Sequence, residues 1–464
     1  MPTDEHILRA TDGRELWRGR AVSARHAVER ACRAGADLSG AELAGVDLRN
    51  ARLAGARLDD ADLTRSRLDG ARLDGASARR ARFVEASLAD VSARGALLVD
   101  TSFDGAATLD AANLDGADLS GASFVGACLG APRMRRAVAA GANFRTSSMS
   151  SGDLEAADLR FALIEEARWH RTGLVGARLD SARLDGADLT DSNLRRASLT
   201  GANLEGARLV GTSLESADLR DALAAEADLT GASVEEADCA RITLVGAILE
   251  DLRAKRAGLR AADLSRAWAP GARFVLADLT EALLVDAHLS RSRFDRAQLV
   301  SADLTGAILD HASIDRADCR RLRAVRASFL SASLRRSAFE DSDFTGALDD
   351  GARWTDSTGI DKKAGSMRTG KTRRFGLVLD LLVGPGGGSR RPDRQRQQLA
   401  ARILHVARAE AAAIGDAPGD TLELFVDEVA RRDGTVDQRL RTLALEDARR
   451  QAAPPAGPRR RAVR

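Results

Sequence analysis

The 464-residue chain contains no tyrosine, and aromatics of all kinds make up 3% of it; cysteine (4), histidine (6) and proline (9) are also scarce. The four cysteines, at 32, 128, 239 and 319, have no paired spacing, which fits a reducing cytoplasm better than a disulfide framework. No apolar stretch approaches the roughly 20 residues of a membrane span. No signal peptide is recognisable either, so the chain reads as soluble, unexported and cytoplasmic. Lysine is nearly missing: only four of 70 basic residues are Lys, and three of those lie between 362 and 371, a bias that fits genome composition. A large charge of one sign is also lacking, because 70 basic residues face 68 acidic ones.

What is present is a beat of five. In "GADLSGAELAGVDLRNARLAGARL", Gly35 to Leu58, a leucine recurs at 38, 43, 48, 53 and 58. Neither the helical period of 3.6 nor the strand period of 2 produces this, and so short a unit cannot bury its own apolar groups. Copies must therefore stack, as in a solenoid. The beat runs from Leu38 to Phe103, slips by one residue in "DGAATL", and resumes at Leu109 to end at Trp354, giving 64 units. Two residues before each centre stands a small side chain, Ala in 48 of the 64. Two of every five residues thus face inward, and the remaining positions are polar or charged.

Aromatic placement supports this reading. Nine of the ten Phe between 37 and 354 fall on centres, Phe161 being the exception. Phe83, Phe103, Phe124 and Phe144 are 20, 21 and 20 apart, the 21 spanning the inserted residue, and Phe274 and Phe294 are again 20 apart. Twenty residues per lap means four sides of five, with like side chains stacked.

The A-[DN]-L-x-x pattern, as in "GADLSGAELAG" or "GANLEGARLVG" (Gly201 to Gly211), resembles the pentapeptide repeat family. The resemblance implies an all-β solenoid: a right-handed quadrilateral β-helix of about 16 coils with the central Leu or Phe and the preceding Ala turned inward. At roughly 4.8 Å per coil the rod would be about 77 Å long. Pro132, Ile242, Leu252 and Leu322 in the Ala column and Trp169 at a centre depart from the pattern and predict local swellings or kinks.

Five regions are expected. Residues 1–36 form an N-terminal cap, with a hairpin around Asp12-Gly13 and a helix that Ser23 starts and Gly35 stops. Its Ala24, Ala27, Val28, Ala31 and Cys32 would sit on the first coil and shield an otherwise open sheet edge. This preamble resembles those of bacterial members of the family. Residues 37–356 form the β-helix, and 357–392 a closing segment and linker, with "FGLVLDLLVG" from Phe375 packed on the last coil. Residues 393–450 form a small helical C-terminal domain with Leu399, Ile403, Val406 and Ile414 on the face of its first segment. Residues 451–464 form a disordered basic tail.

Charge is polarised: residues 37–356 hold 41 basic against 50 acidic residues, and 357–464 hold 22 against 13. On the side centred on 254, 274, 294, 314, 334 and 354, the basic residues are Arg253, Lys255, Arg256, Arg273, Arg293, Arg296, Arg316, Arg335, Arg336 and Arg353. Only Asp295, Asp315 and Asp356 oppose them. The side reads either as an anion-binding or acidic-partner stripe, or as arginines splayed into water and paired with neighbouring acids. Trp268, outward on another side with Pro270 beside it and His288 one coil above, is either an exposed partner anchor or packed under a loop.

Catalytic chemistry is not expected. "GSMRTGKT" (Gly365 to Thr372) satisfies the phosphate-loop pattern, but no buried strand precedes it and no alternating strands follow. His288 and His311 share a side but lack a third ligand, and acids abound without a cleft. Neither a metal nor a cofactor is expected. Cys239 and Cys319 share a side about 19 Å apart, too far to bridge. The functional expectation is therefore a non-enzymatic interaction scaffold for a protein partner, with the C-terminal helices either recruiting that partner or self-associating. The alternatives are a DNA mimic protecting a type II topoisomerase, which the resemblance suggests, and nucleic-acid contact through the basic side, which the paucity of aromatics disfavours.

Overall fold

A computed structural model describes residues 4–105 and 107–359. The expected closing segment, helical domain, basic tail and Gly365–Thr372 motif lie outside the described residues.

From Asp37 onward the residue before each centre pairs in parallel with its counterpart one lap later: Asp37 with Arg57, Glu42 with Asp62, Asp47 with Arg67, Arg52 with Arg72, and so on to Ala338 with Thr358. The spacing is 20 residues throughout except across the "DGAATL" slip, where Ser87 meets Thr108. Four such ladders make four walls. The leucine and phenylalanine centres and the preceding alanines are buried along the ladder, except in the last coil, where Phe344 and Ala352 are only partly buried.

The motif follows from a full accounting of one unit's backbone donors. In the unit starting at Leu189, the N–H of Leu189 donates to Arg208 O (2.8 Å), that of Asp191 to Val210 O (2.9 Å), that of Ser192 to Leu189 O (3.0 Å) and that of Asn193 to Thr172 O (2.9 Å). The fifth, on Thr190, has no backbone acceptor within reach and donates to Asp188 Oδ1 at 3.0 Å. An Asp or Asn before the centre thus fills the position because its side chain folds onto the N–H two residues ahead. Where that residue does not accept, an aspartate one coil earlier does: Asp59 Oδ1 accepts from Arg79 N (2.9 Å), Asp110 Oδ1 from Gly130 N (2.7 Å) and Asp315 Oδ1 from Arg335 N (2.9 Å). In these cases the acids are backbone acceptors.

Two residues after each centre the chain turns a corner with positive φ, for example Asn50 at 57°, Arg296 at 58° and Gly201 at 63°. Most side chains pay about 1–2 kcal/mol there. The cost is offset by burial of two of every five residues.

Stacked aromatics measure the lap directly. The ring centroids of Phe83 and Phe103 are 5.1 Å apart, of Phe103 and Phe124 4.8 Å, and of Phe124 and Phe144 4.7 Å. Their planes differ by only 3–10°, so the wall is nearly straight.

Of the expected local departures, one place shows a changed backbone pairing and three do not. Around Trp169 the single rungs lengthen into a parallel three-stranded patch, β3 (Cys128–Gly130), β4 (Ser148–Ser150) and β5 (Arg168–His170). Pro132 lacks the N–H that closes the corner elsewhere. Trp169 is fully buried, sets its edge on Phe144 and donates Nε1–H to Ser147 Oγ at 3.1 Å. By contrast Ile242, Leu252 and Leu322 keep their corner bonds to Cys239 O, Leu249 O and Cys319 O (3.1–3.2 Å). Leu252 and Leu322 precede centres that are themselves alanine, Ala254 and Ala324, and Ile242 follows the smaller centre Cys239. Volume is exchanged between the two inward columns, so no kink is needed.

At the start, β1 (Asp4–Arg9) and β2 (Glu15–Ala21) form the hairpin, Gly13 taking φ 83°. Helix α1 (Ala24–Arg33) begins at Ser23, whose hydroxyl accepts from His26 N, and ends before Gly35 at φ 72°. Ala27, Val28 and Ala31 are buried and Cys32 packs on the core, whereas Ala24 is exposed because it lies in the first turn, beyond the packed face. The hairpin pairs with the first coil through Thr11 N to Gly40 O and Glu42 N to Arg9 O (both 2.9 Å). Glu29 Oε1 accepts the Arg52 N–H at 3.0 Å, and Arg25 Nη1 donates to Arg49 O at 2.9 Å. The first coil's edge is thereby occupied.

Candidate functional site

The 20-residue lap places all ten basic residues of the stripe on one wall, and every one is exposed. The backbones of Arg253, Arg273, Arg293, Ser313, Ser333 and Arg353 form one continuous parallel ladder. Arg256, Leu276, Arg296, Arg316, Arg336 and Asp356 make the adjoining corner column, all at φ 58–61°. Lys255 and Arg335 stand between the columns.

Some of this charge is locally answered. Arg293 Nε meets Asp295 at 3.0 Å, Arg335 Nη2 meets Asp315 at 2.9 Å, Arg256 Nη1 meets Glu236 at 3.1 Å and Arg336 Nε meets Asp356 at 3.5 Å. Partial burial works against ionisation of Asp315, but the Ser333 hydroxyl, the Arg335 N–H and the Arg335 guanidinium outweigh it and hold the carboxyl below the usual carboxylate range. These pairs are half open to solvent and individually contribute about 0–1 kcal/mol. Arg253, Lys255, Arg273, Arg296, Arg316 and Arg353 form no ion pair among the described residues. Leu276, 38% exposed, sits in the corner column between Arg256 and Arg296, an apolar side chain in a charged wall.

Trp268 corrects the expectation of an exposed anchor. Its ring stacks on His288 with centroids 4.1 Å apart and planes 10° apart, and it is 7% exposed. His288 is 1% exposed, and burial pushes its imidazole down to about 4, so it is neutral at ordinary pH. His311 remains exposed. Among the described residues no group of His, Cys, Asp and Glu is arranged to hold a metal ion, and no helix is long and apolar enough to cross a membrane. All four cysteines are free; Cys239 and Cys319 are interior, where burial raises the Cys239 thiol to about 12 and pushes the Cys319 thiol higher still.

Asp349 is a feature the sequence reading passed over. It occupies a centre, where its counterparts on the three preceding coils are Phe329, Leu309 and Leu289, and partial burial raises its carboxyl pKa. Strict counting by five finds it.

The pentapeptide repeat family matches this chain in eight copies, over residues 34–70, 66–105, 105–130, 153–196, 177–215, 212–251, 272–310 and 282–318. No curated protein matches. Among solved structures, the chain is similar to HetL, a pentapeptide repeat protein involved in heterocyst differentiation regulation from the cyanobacterium Nostoc sp. strain PCC 7120 (29% identity over 48% of this chain and 89% of that one, TM-score 0.26). It is also similar to QnrB1, a plasmid-mediated fluoroquinolone resistance protein (16% identity, 43% and 92%, TM-score 0.20). A third is a pentapeptide repeat protein of the Arabidopsis thaliana thylakoid lumen (20% identity, 26% and 77%, TM-score 0.18). With its repeats matched along more than half its length, the chain belongs to the pentapeptide repeat family.

Proposed function

We propose that the protein is a non-catalytic interaction scaffold: a rod of about 16 coils whose straight walls hold charged side chains at fixed heights for a protein partner. The observation that carries this reading is the sorting of charge by wall, ten exposed basic residues against three acids on one side. Every backbone rung is shared with the next coil, so such a wall keeps its spacing when a partner docks and little ordering entropy is spent on the scaffold side. Residues 357–464, with their excess of basic residues, are proposed to recruit or self-associate.

The test is a nuclease-treated pull-down from the native host with the full chain and with residues 1–356. Specific companions on the full chain support the scaffold reading, and loss of some on the shorter chain assigns them to the tail. A full chain that retains none overturns it. The acidic excess of residues 37–356 favours a second reading, a DNA mimic that protects a type II topoisomerase. Protection of gyrase supercoiling from a quinolone would establish it; unprotected supercoiling would remove it.

A further inference from the structure

We infer that the basic wall takes an acidic amphipathic α-helix of a partner protein, laid along the rod axis between rungs 253 and 353. The inference rests on the scaffold reading and names the chemistry of its partner.

Three observations carry it. The first is charge: Arg253, Lys255, Arg273, Arg296, Arg316 and Arg353 are exposed and form no ion pair among the described residues, so the wall carries an uncompensated positive line. Arg296, Arg316 and Arg336 follow one another at one coil rise each, which stacked rings elsewhere on the rod put at 4.7–5.1 Å. At that spacing like charges repel, and a row of carboxylates relieves the repulsion through charge-assisted hydrogen bonds.

The second is shape. The phenylalanine pair on this same wall, Phe274 and Phe294, is stacked at 4.9 Å with planes 12° apart, so the wall advances with little rotation. An α-helix whose Glu or Asp residues recur at i, i+4, i+7 and i+11 presents carboxylates along one line, about one per 5.4 Å pitch. Over four rungs the mismatch with the coil rise is about 2 Å, well within the reach of an arginine side chain. A nucleic-acid duplex fits less well. Its phosphates wind around the axis once in about 34 Å, so over the roughly 24 Å between rungs 253 and 353 a single strand has turned away from a flat wall.

The third is the apolar break in the line. Leu276, exposed in the left-handed corner conformation, is flanked in the same column by Arg256 and Arg296, with the half-buried Val275 beside it. A purely ionic ligand gains nothing from it. An amphipathic helix with one apolar residue between its acids buries it.

The experiment uses the full-length protein and a fluorescent 21-residue Ala/Glu peptide with Glu at i, i+4, i+7 and i+11 and one Leu facing Leu276. The comparison probes are an isomer with the same Glu residues scattered around the helix and a 20-base-pair duplex DNA. One variant carries Arg296→Glu, Arg316→Glu and Arg336→Glu. A control carries Arg171→Glu, Arg266→Glu and Arg321→Glu, three corner arginines at φ 53–58° on the other three walls, with the same change in net charge. Thermal melts establish that both fold. Fluorescence anisotropy at low and at physiological salt is expected to show the one-faced peptide binding wild type and control alike, and the stripe variant at least tenfold more weakly. Equal weakening in the control, equal binding of the scattered isomer, tighter binding of the duplex, or no binding of the one-faced peptide overturns the inference. Repeating the host pull-down with the stripe variant separates this from the scaffold reading. If companions are retained while peptide binding fails, the scaffold stands and the wall is not its docking face.

Discussion

Phe124 offers the sharpest test of the stacked interior. It is fully buried and has an aromatic neighbour on each side, Phe103 at 4.8 Å and Phe144 at 4.7 Å. Phe124→Ala removes the ring from a column that the ladder holds at fixed spacing, so the gap cannot collapse. Substitutions of that kind cost about 3–5 kcal/mol. Phe124→Leu restores the commonest centre residue and loses mainly the two ring contacts, at about 1–2 kcal/mol. Phe161, which lies off the beat and is 60% exposed, is the comparison; its change to Ala is expected to fall within about 0.5 kcal/mol. Because repeat units contact only their neighbours, the loss is local rather than global. Hydrogen exchange of the intact protein, read by mass spectrometry, is therefore the assay. In Phe124→Ala the amides between 98 and 150 are expected to exchange faster by about two to four powers of ten, with the coils around Phe274 and Phe294 unchanged. If Phe124→Ala and Phe161→Ala have the same small effect, the column does not stack as described. If exchange rises evenly along the rod, nearest-neighbour stability is the wrong picture.

Three further outcomes are expected. A Cβ on Gly152 would stand 2.5 Å from Met149 Sδ and 3.2 Å from Pro132 Cδ beneath Trp169, so Gly152→Ala should cost about 1–3 kcal/mol; an unchanged denaturant midpoint for Trp169 fluorescence would refute that packing. Deleting residues 4–21 removes the strand paired with residues 40–42, and light scattering should then show more concentration-dependent self-association than wild type; unchanged scattering would mean that the hairpin is not what protects the edge. Asp349→Leu should stabilise the last coil by about 1 kcal/mol at neutral pH. Because the folded-state carboxyl titrates above its usual range, wild type gains stability as pH falls through that folded value toward the unfolded one, and the advantage of the leucine should shrink there. An advantage independent of pH would show that Asp349 is not titrating in the interior.

How much was legible in the sequence varies with the range of the interaction. A beat of five, with Ala two residues before Leu or Phe, sufficed for the four-walled lap, because every unit meets the same neighbours one lap away and sequence distance becomes height and direction. For the same reason the gathering of Arg253, Arg296, Arg336 and their companions on one wall could be counted out in advance, as could the hairpin at Gly13 and the Ser23 and Gly35 limits of α1, which depend on residues adjacent in the chain. Other features needed coordinates. That Asp188 serves the Thr190 N–H, and Asp59 that of Arg79, depends on which backbone groups the ladder leaves unpaired. Whether a large residue in the alanine column distorts the wall depends on the volume beside it: Leu252 and Leu322 fit next to alanine centres, while Pro132, lacking an N–H, and the bulk of Trp169 do not fit without local change. For Trp268 the sequence leaves exposure and packing equally open, because a residue's place in an outward column gives the direction of its side chain but not what lies against it; stacking on His288 decides for packing. The period of the chain determined direction; burial and hydrogen-bond pairing were decided only when the coils were stacked, since both are properties of neighbours in space.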